Sequence, residues 1–489
     1  MAKELNLPPS PASAGEGNRT KPPATVAIIG GGYAGMAAAV ELASRGIPVR
    51  VFESARQLGG RARGVHVPNP IRQATHDTST SIQPPPGEHP LSGDYVTLDN
   101  GQHLLLGCYR ETLRLIEQVG GDIQRDFLRL PLQLDLHGHF ALKAPRLPAP
   151  LHLLVALLKA QGLSWDERLK ATRFMLTLRN ANFRLNKLFS PTAGSESSCD
   201  ITVSSLLARY DQDVGLTLKL WEPLCIAALN TPVGKASAQV FLNVLRDALN
   251  RTRADSDMLL PRIDFTALFP QRAAAYVEER GGKVGTSCGV EAVIPQDGGI
   301  ELVTADGTHY FSHVICAAPP VVAARLLRQI SVLKETVARI DSMQQQPIYT
   351  VYLQYPAHVT LPHPMLGLYQ CYSQWLFDKG QISAQRGLLA AVISAEGIHQ
   401  ELSQQELARR VIDELREELG ISEPPQWYQV IAEKRATFCC SPDLKRPSRQ
   451  TTLSRLLLAG DYTEGDYPAT LEGAVMSGLE CARILSIAH

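Results

Sequence analysis

The stretch VAIIGGGYAGMAAAVELASRGIPVRVFE, residues 26–53, constrains the fold more than any other part of the chain. Val26 to Ile29 form a short run rich in β-branched residues and apolar on both sides, which suits a central parallel strand. Gly30, Gly32 and Gly35 follow in GxGxxG spacing. The first allows a tight turn, the second lets the backbone approach a pyrophosphate, and the third lets helix and strand pack closely. A helix from about Tyr33 to Ser44 then turns its N-terminal amides toward the phosphates, Gly46 ends it, and IPVRVF supplies a second strand. Glu53 closes that strand where a carboxylate can accept ribose hydroxyls, and an acidic residue there argues against a 2′-phosphate. The unit binds a dinucleotide.

The chain has 489 residues, and at roughly 100 to 200 residues per domain that length points to two or three domains. Its 48 lysines and arginines balance 48 aspartates and glutamates, so no polyanion is expected as partner and nucleic acid is excluded as a target. The nine cysteines are dispersed except for Cys439 and Cys440, and none falls in a metal-ligand spacing, so no metal is expected. Residues 1–24 have no apolar signal core and read as a disordered leader. The most lipid-like segment, LPAPLHLLVALL (147–158), meets Lys159 well short of the roughly 20 apolar residues that span a bilayer. A cytoplasmic protein, at most peripheral at the inner membrane, is expected.

The fold class is α/β, a Rossmann-like FAD/NAD(P)-binding domain interleaved with a mixed α+β, largely helical substrate domain. Nucleotide-binding parts are expected at 25–110, 262–325 and 441–489, and substrate-domain parts at 111–261 and 326–440. Residues 66–94, rich in Pro, Ser and Thr, read as an inserted surface loop. YRETLRLIEQVGG reads as an amphipathic helix with Leu113, Ile116 and Val119 on one face, stopped by Gly120 and Gly121. Residues 147–260 read as mostly helical. In PLHLLVALL, Leu151, Leu154, Val155 and Leu158 share one face and Leu153 and Leu157 another, which makes the helix core, a tunnel wall or a lipid-docking surface, with charges at Leu153 and Leu157 as the probe of docking. Asp306-Gly307 signals a hairpin, HVICAAPP a strand broken at its prolines, and Ser403 to Glu406 a capping box opening a helix that Gly420 ends.

Six residues beyond Glu53, GGRAR (59–63) offers a glycine turn and guanidinium donors for a diphosphate. Gly60 and Arg61 are the expected cofactor contacts, and the stretch resembles the GGR of the amine-oxidase and phytoene-desaturase flavoproteins, which favours FAD. At the other end, RLLLAGDYTEGDYPATLEGAVMSGLECARIL (455–485) reads as a strand, Gly460 and Asp461, a loop, and a small-residue helix opening near Thr470 and Leu471. In that group the aspartate meets ribityl or phosphate oxygens and the helix N-terminus faces the flavin. Val290 completes the expected cofactor contacts.

Taken with LDNGQHLLLGCYRETLRLIEQVG, LWEPLCIAALNTPVGKASAQVF, MLLPRIDFTALFP and EKRATF, these stretches resemble the hydroxysqualene dehydroxylases, also called squalene-associated FAD-dependent desaturases. DNGQH, WEPLCIAALNT and GDYTEGDYPATLEGA discriminate. The resemblance implies reduction of hydroxysqualene to squalene on the way to hopanoid triterpenes, with a hydride from reduced FAD and a proton from an acid that burial keeps protonated. Candidates for the acid on the matching stretches are Glu464, Asp466, Glu222 and His103, with Tyr462 and Tyr467 as donors or walls, and Trp221 and Tyr467 as packing or as ring faces for a developing allylic cation. A triterpene substrate, peripheral membrane contact through 147–158 and upstream squalene-pathway enzymes are the partners so implied. A carotenoid desaturase, a flavin amine oxidase and a non-catalytic binding protein of the same scaffold are the alternatives.

Overall fold

The computed structural model describes residues 25–70, 95–189 and 200–487. The expected leader and residues 71–94 of the expected loop lie outside the described residues.

A five-stranded parallel sheet carries the nucleotide unit, in the order Lys283–Gly285, Val49–Phe52, Val26–Ile29, His313–Cys316 and Leu456–Leu458. The strand Val26–Ile29 is central and buried along its whole length, as its unbroken apolar run requires. The chain leaves it toward Val49–Phe52 on one side and later returns to His313–Cys316 on the other. That reversal opens a crevice at its carboxyl end, where α/β sheets bind ligands. The helix Tyr33–Ser44 packs on the C-terminal helix Leu471–Ile487 so closely that a Cβ at Gly478 would lie 2.1 Å from the Ala34 carbonyl oxygen. This is the physical reason for the small residues in that last helix.

A second, seven-stranded sheet runs in the order Trp427–Phe438, Gln345–Gln354, Leu388–Ser394, Trp375–Asp378, Met365–Gly367, Gln133–Leu136, Phe140–Lys143. The helix Gln404–Leu419 covers it with Leu407, Val411 and Leu415. Its capping box at Ser403 and Glu406 and its left-handed Gly420 (φ +68°) are as the sequence predicts. Five of these strands lie at 345–438, where the sequence indicates only a helix. A run such as LLAAVIS has no period that separates a buried strand from a buried helix.

Three local expectations are corrected. His66, Val67 and Pro68 are not loop: they belong to the strand Gly64–Pro68, which pairs with Tyr95–Asp99. The hairpin read at Asp306-Gly307 turns one residue earlier, through Ala305 and Asp306, because Gly307 already pairs with Thr304. The same dipeptide does make a turn at Asp297-Gly298, between Val290–Gln296 and Gly299–Thr304. In the helix Leu151–Leu158, His152, Leu153, Ala156 and Leu157 face the core, so Leu153 and Leu157 cannot meet lipid. The opposite face is the open one.

Candidate cofactor and active site

At the fingerprint turn each glycine has its own reason. Gly30 has φ +109° and a Cβ there would lie 2.7 Å from the Ala317 carbonyl oxygen; at Gly35 it would lie 2.0 Å from that of Gly30. A Cβ at Gly32 would meet nothing nearer than 3.8 Å, so no packing demands a glycine there. The demand comes from a ligand that must approach the backbone, and the residues therefore fit a pyrophosphate. Glu53 is buried, and its carboxylate accepts from the amides of Gly31 (2.7 Å) and Ala55 (2.8 Å). With about four acceptor sites on two oxygens it retains capacity for ribose hydroxyls. Val290, also buried, opens the strand that follows a segment hydrogen-bonded to Glu53 and Ala55 through Cys288 and Ser287.

The GGRAR turn lies against the fingerprint, since the Gly59 amide donates to the Gly31 carbonyl at 2.9 Å, and Gly59 and Gly60 both take positive φ. Arg61 donates to Asp461 Oδ1 at 2.6 Å and to the Ala436 carbonyl at 2.7 Å. Burial works against its charge, but Asp461 outweighs burial and raises the guanidinium pKa. One ion pair thus joins chain positions 400 residues apart. Gly460, at φ +150°, donates to Ser477 Oγ at 2.7 Å, and Thr470 Oγ1 accepts from the Gly473 amide at 3.1 Å, capping the last helix just before Leu471.

The four candidate acids fare differently. Glu464 and Asp466 are exposed, on a loop that Arg446 and Arg449 pin by donating to the carbonyls of Tyr467 (2.8 Å) and Glu464 (2.7 Å). The Asp466 carbonyl accepts from Asn243 of the helical region at 3.0 Å. His103 turns Nδ1 to the Gly101 carbonyl at 2.5 Å, and burial lowers its pKa, so the ring is neutral near pH 7. Glu222 is half-buried at the start of the helix Glu222–Leu229, and burial raises its carboxyl pKa. No hydrogen bond or ion pair among the described residues connects Glu222 to Glu464 or Asp466. Trp221 is packing: its Nε1 donates to Gln212 at 2.9 Å and its ring meets Phe174 edge-on. Tyr467 donates to Asp247 at 2.9 Å, and Tyr462 is fully buried with its phenol pKa raised by burial.

Two buried charged groups give no sequence signal of their role. Asp99, in the DNGQH stretch, accepts from the Phe265 amide at 3.0 Å and lies 3.8 Å from Lys379 Nζ, which also donates to Gln102 at 3.3 Å. Burial pushes the Asp99 carboxyl up to about 6 and lowers the lysine. Glu472 accepts from Thr112 Oγ1 at 2.6 Å and from the amides of Glu111 and Thr112, capping the helix Arg110–Gln118 from another element. Partners 280 and 360 residues distant have no local pattern to announce them. Among the described residues no group of His, Cys, Asp or Glu could hold a metal ion, and no helix is long and apolar enough to cross a membrane.

The family model described as flavin containing amine oxidoreductase matches residues 33–486. A hydroxysqualene dehydroxylase from Rhodopseudomonas palustris is 27% identical over 94% of this chain and 98% of its own length. A zeta-carotene desaturase from Solanum lycopersicum is 24% identical over 94% of this chain and 80% of its own. Cyclohexylamine oxidase from Brevibacterium oxydans has the same fold, with a TM-score of 0.65 at 16% identity, covering 96% of this chain and 100% of that one.

Proposed function

The chain belongs to the flavin containing amine oxidoreductases and is an FAD-dependent oxidoreductase, and from that premise we propose that it reduces hydroxysqualene to squalene. The observation that carries the proposal is the near full-length likeness to a hydroxysqualene dehydroxylase, with DNGQH, WEPLCIAALNT and GDYTEGDYPATLEGA standing in the described site and helical regions. Gly30, Gly32, Gly35, Glu53, Gly60, Arg61, Val290, Gly460, Asp461, Thr470 and Leu471 would hold FAD. When bound and reduced, FAD supplies a hydride to carbon.

The protein's own groups do the rest. The reaction replaces a carbon–oxygen bond by a carbon–hydrogen bond, so one proton must reach the departing oxygen for it to leave as water. Of the four candidate acids, Glu222 is the half-buried carboxyl whose pKa burial raises, and we assign it the donation. Neutral His103 lies against the Phe265 ring, and Trp221, next to Glu222 in the chain, packs edge-on against Phe174.

The test is an anaerobic titration in which reduced enzyme is mixed with hydroxysqualene. Flavin reoxidation in step with squalene formation is expected, and Glu222→Gln should slow it by about 100-fold or more while the flavin absorption stays. The likeness to zeta-carotene desaturase favours a second reading, in which oxidised flavin takes hydride from a carotene. Carotene oxidation with no reoxidation by the alcohol would establish that reading and exclude the first.

A further inference from the structure

Large apolar side chains cluster on the outside of one helical hairpin. Its arms are Leu151–Leu158 and Trp165–Asn180. Trp165 is 69% exposed, Leu151 51%, Leu169 41%, Leu176 40% and Leu147 37%. These are five of the thirteen exposed large apolar side chains among the described residues, gathered in thirty positions. Positions 165, 169 and 176 lie on one helix stripe, and Leu151 with half-buried Leu154, Val155 and Leu158 on another. Between the arms lies an apolar groove lined by Pro150, Leu153, Leu154, Met175, Leu176 and Phe183. Its walls include Arg179, so the groove carries a positive charge as well.

The charge of the segment decides what it can dock on. Residues 143–187 hold nine lysines and arginines against two carboxylates, in a chain whose formal net charge is zero. Lys170 is paired with Asp166 and Asp213. Exposed Arg146, Lys159, Arg173, Arg179 and Arg184 have no carboxylate partner among the described residues. A symmetric second copy would set these cations against each other, which disfavours self-association. Apolar stripes with a Trp, flanked by unpaired cations, match the layered chemistry of an anionic leaflet, apolar beneath a negative surface.

We propose that this hairpin docks the protein on an anionic lipid surface. The inference is in keeping with the lipophilic substrate proposed above, which such a surface would hold. Because docking is measured without substrate, its failure and the failure of that function are distinct results.

The test is co-sedimentation of the full-length, FAD-loaded protein with phosphatidylglycerol or phosphatidylcholine vesicles. Binding to phosphatidylglycerol that weakens with salt, and little binding to phosphatidylcholine, is expected. The pair Leu151→Glu and Leu169→Glu should lower partitioning about tenfold or more, with flavin absorption and melting midpoint retained. Trp165→Ser, at the most exposed of these positions, where the ring meets the Arg168 guanidinium at 4.9 Å, provides a second variant. Arg173→Glu with Arg179→Glu should remove the preference for phosphatidylglycerol. The proposal is overturned if the wild type ignores phosphatidylglycerol vesicles, binds both lipids equally at all salt concentrations, or is matched by the Leu and Trp variants. It is equally overturned if light scattering gives a dimer for the wild type and a monomer for the Leu pair, which would assign the face to a second copy.

Discussion

At the scale of single residues, two glycines of one turn separate binding from folding. Gly32 has an extended backbone (φ −79°, ψ −176°), and a Cβ there would make only ordinary contacts, the nearest at 3.8 Å. Gly32→Ala should therefore cost at most about 1 kcal/mol of stability, yet weaken FAD binding about tenfold or more by holding the pyrophosphate off the amides. Gly35→Ala places a methyl on the Gly30 carbonyl and should cost about 1–3 kcal/mol or more. Urea unfolding of the apo-proteins and flavin titration distinguish the two outcomes. Both glycines and Glu53 were legible in the sequence, because each acts through its own turn. The ion pair of Asp99 with Lys379 was not, since its energetics arise from burial beside a residue contributed by another part of the chain.

At the scale of elements, carboxylates from outside a helix hold several of the joints. Asp126 is buried and accepts from Arg125 at 2.8 Å and Arg272 at 2.5 Å, tying the short helix Ile123–Asp126 to the helix Pro270–Glu279. Burial alone would raise its carboxyl pKa, and the two guanidinium hydrogen bonds outweigh it, lowering it from 3.8 to about 2. A depressed carboxylate stabilises the fold above its unfolded value and loses that contribution as pH falls through the folded one. Asp126→Asn should thus lower stability at pH 7 by about 1–3 kcal/mol. The gap from wild type should narrow between pH 3.8 and about 2, read as melting midpoint against pH. The helix expected from about Tyr33 to Ser44 and the helix opened by the Ser403–Glu406 capping box and ended at Gly420 both stand where the sequence indicates. The strands of the seven-stranded sheet did not stand out, because Gln345–Gln354 pairs with Trp427–Phe438, remote in sequence, and fully buried runs such as Trp375–Asp378 and Leu388–Ser394 lack a period of their own.

At the scale of the whole molecule, segments from both ends of the chain meet beside the fingerprint turn, with Arg61 and Asp461 as the direct link, and the proposed FAD site draws on both. A ligand that binds only the assembled state stabilises it by mass action, about 4 kcal/mol at a thousandfold excess over Kd. Removing the flavin should lower the melting midpoint, and adding it back should restore the midpoint in proportion to the logarithm of its concentration. The midpoint of Asp461→Ala should respond less to added FAD than that of wild type. The sequence by itself determined the nucleotide fingerprint, the closing glycine-rich helix and the identity of the cofactor, because turn geometry and phosphate contact are written in adjacent residues. Only the tertiary structure decided which acid is buried, which face of the helix Leu151–Leu158 meets the core and which carboxylates cap distant helices. Those depend on desolvation and on partners supplied from elsewhere in the chain, and neither is a property of a local stretch.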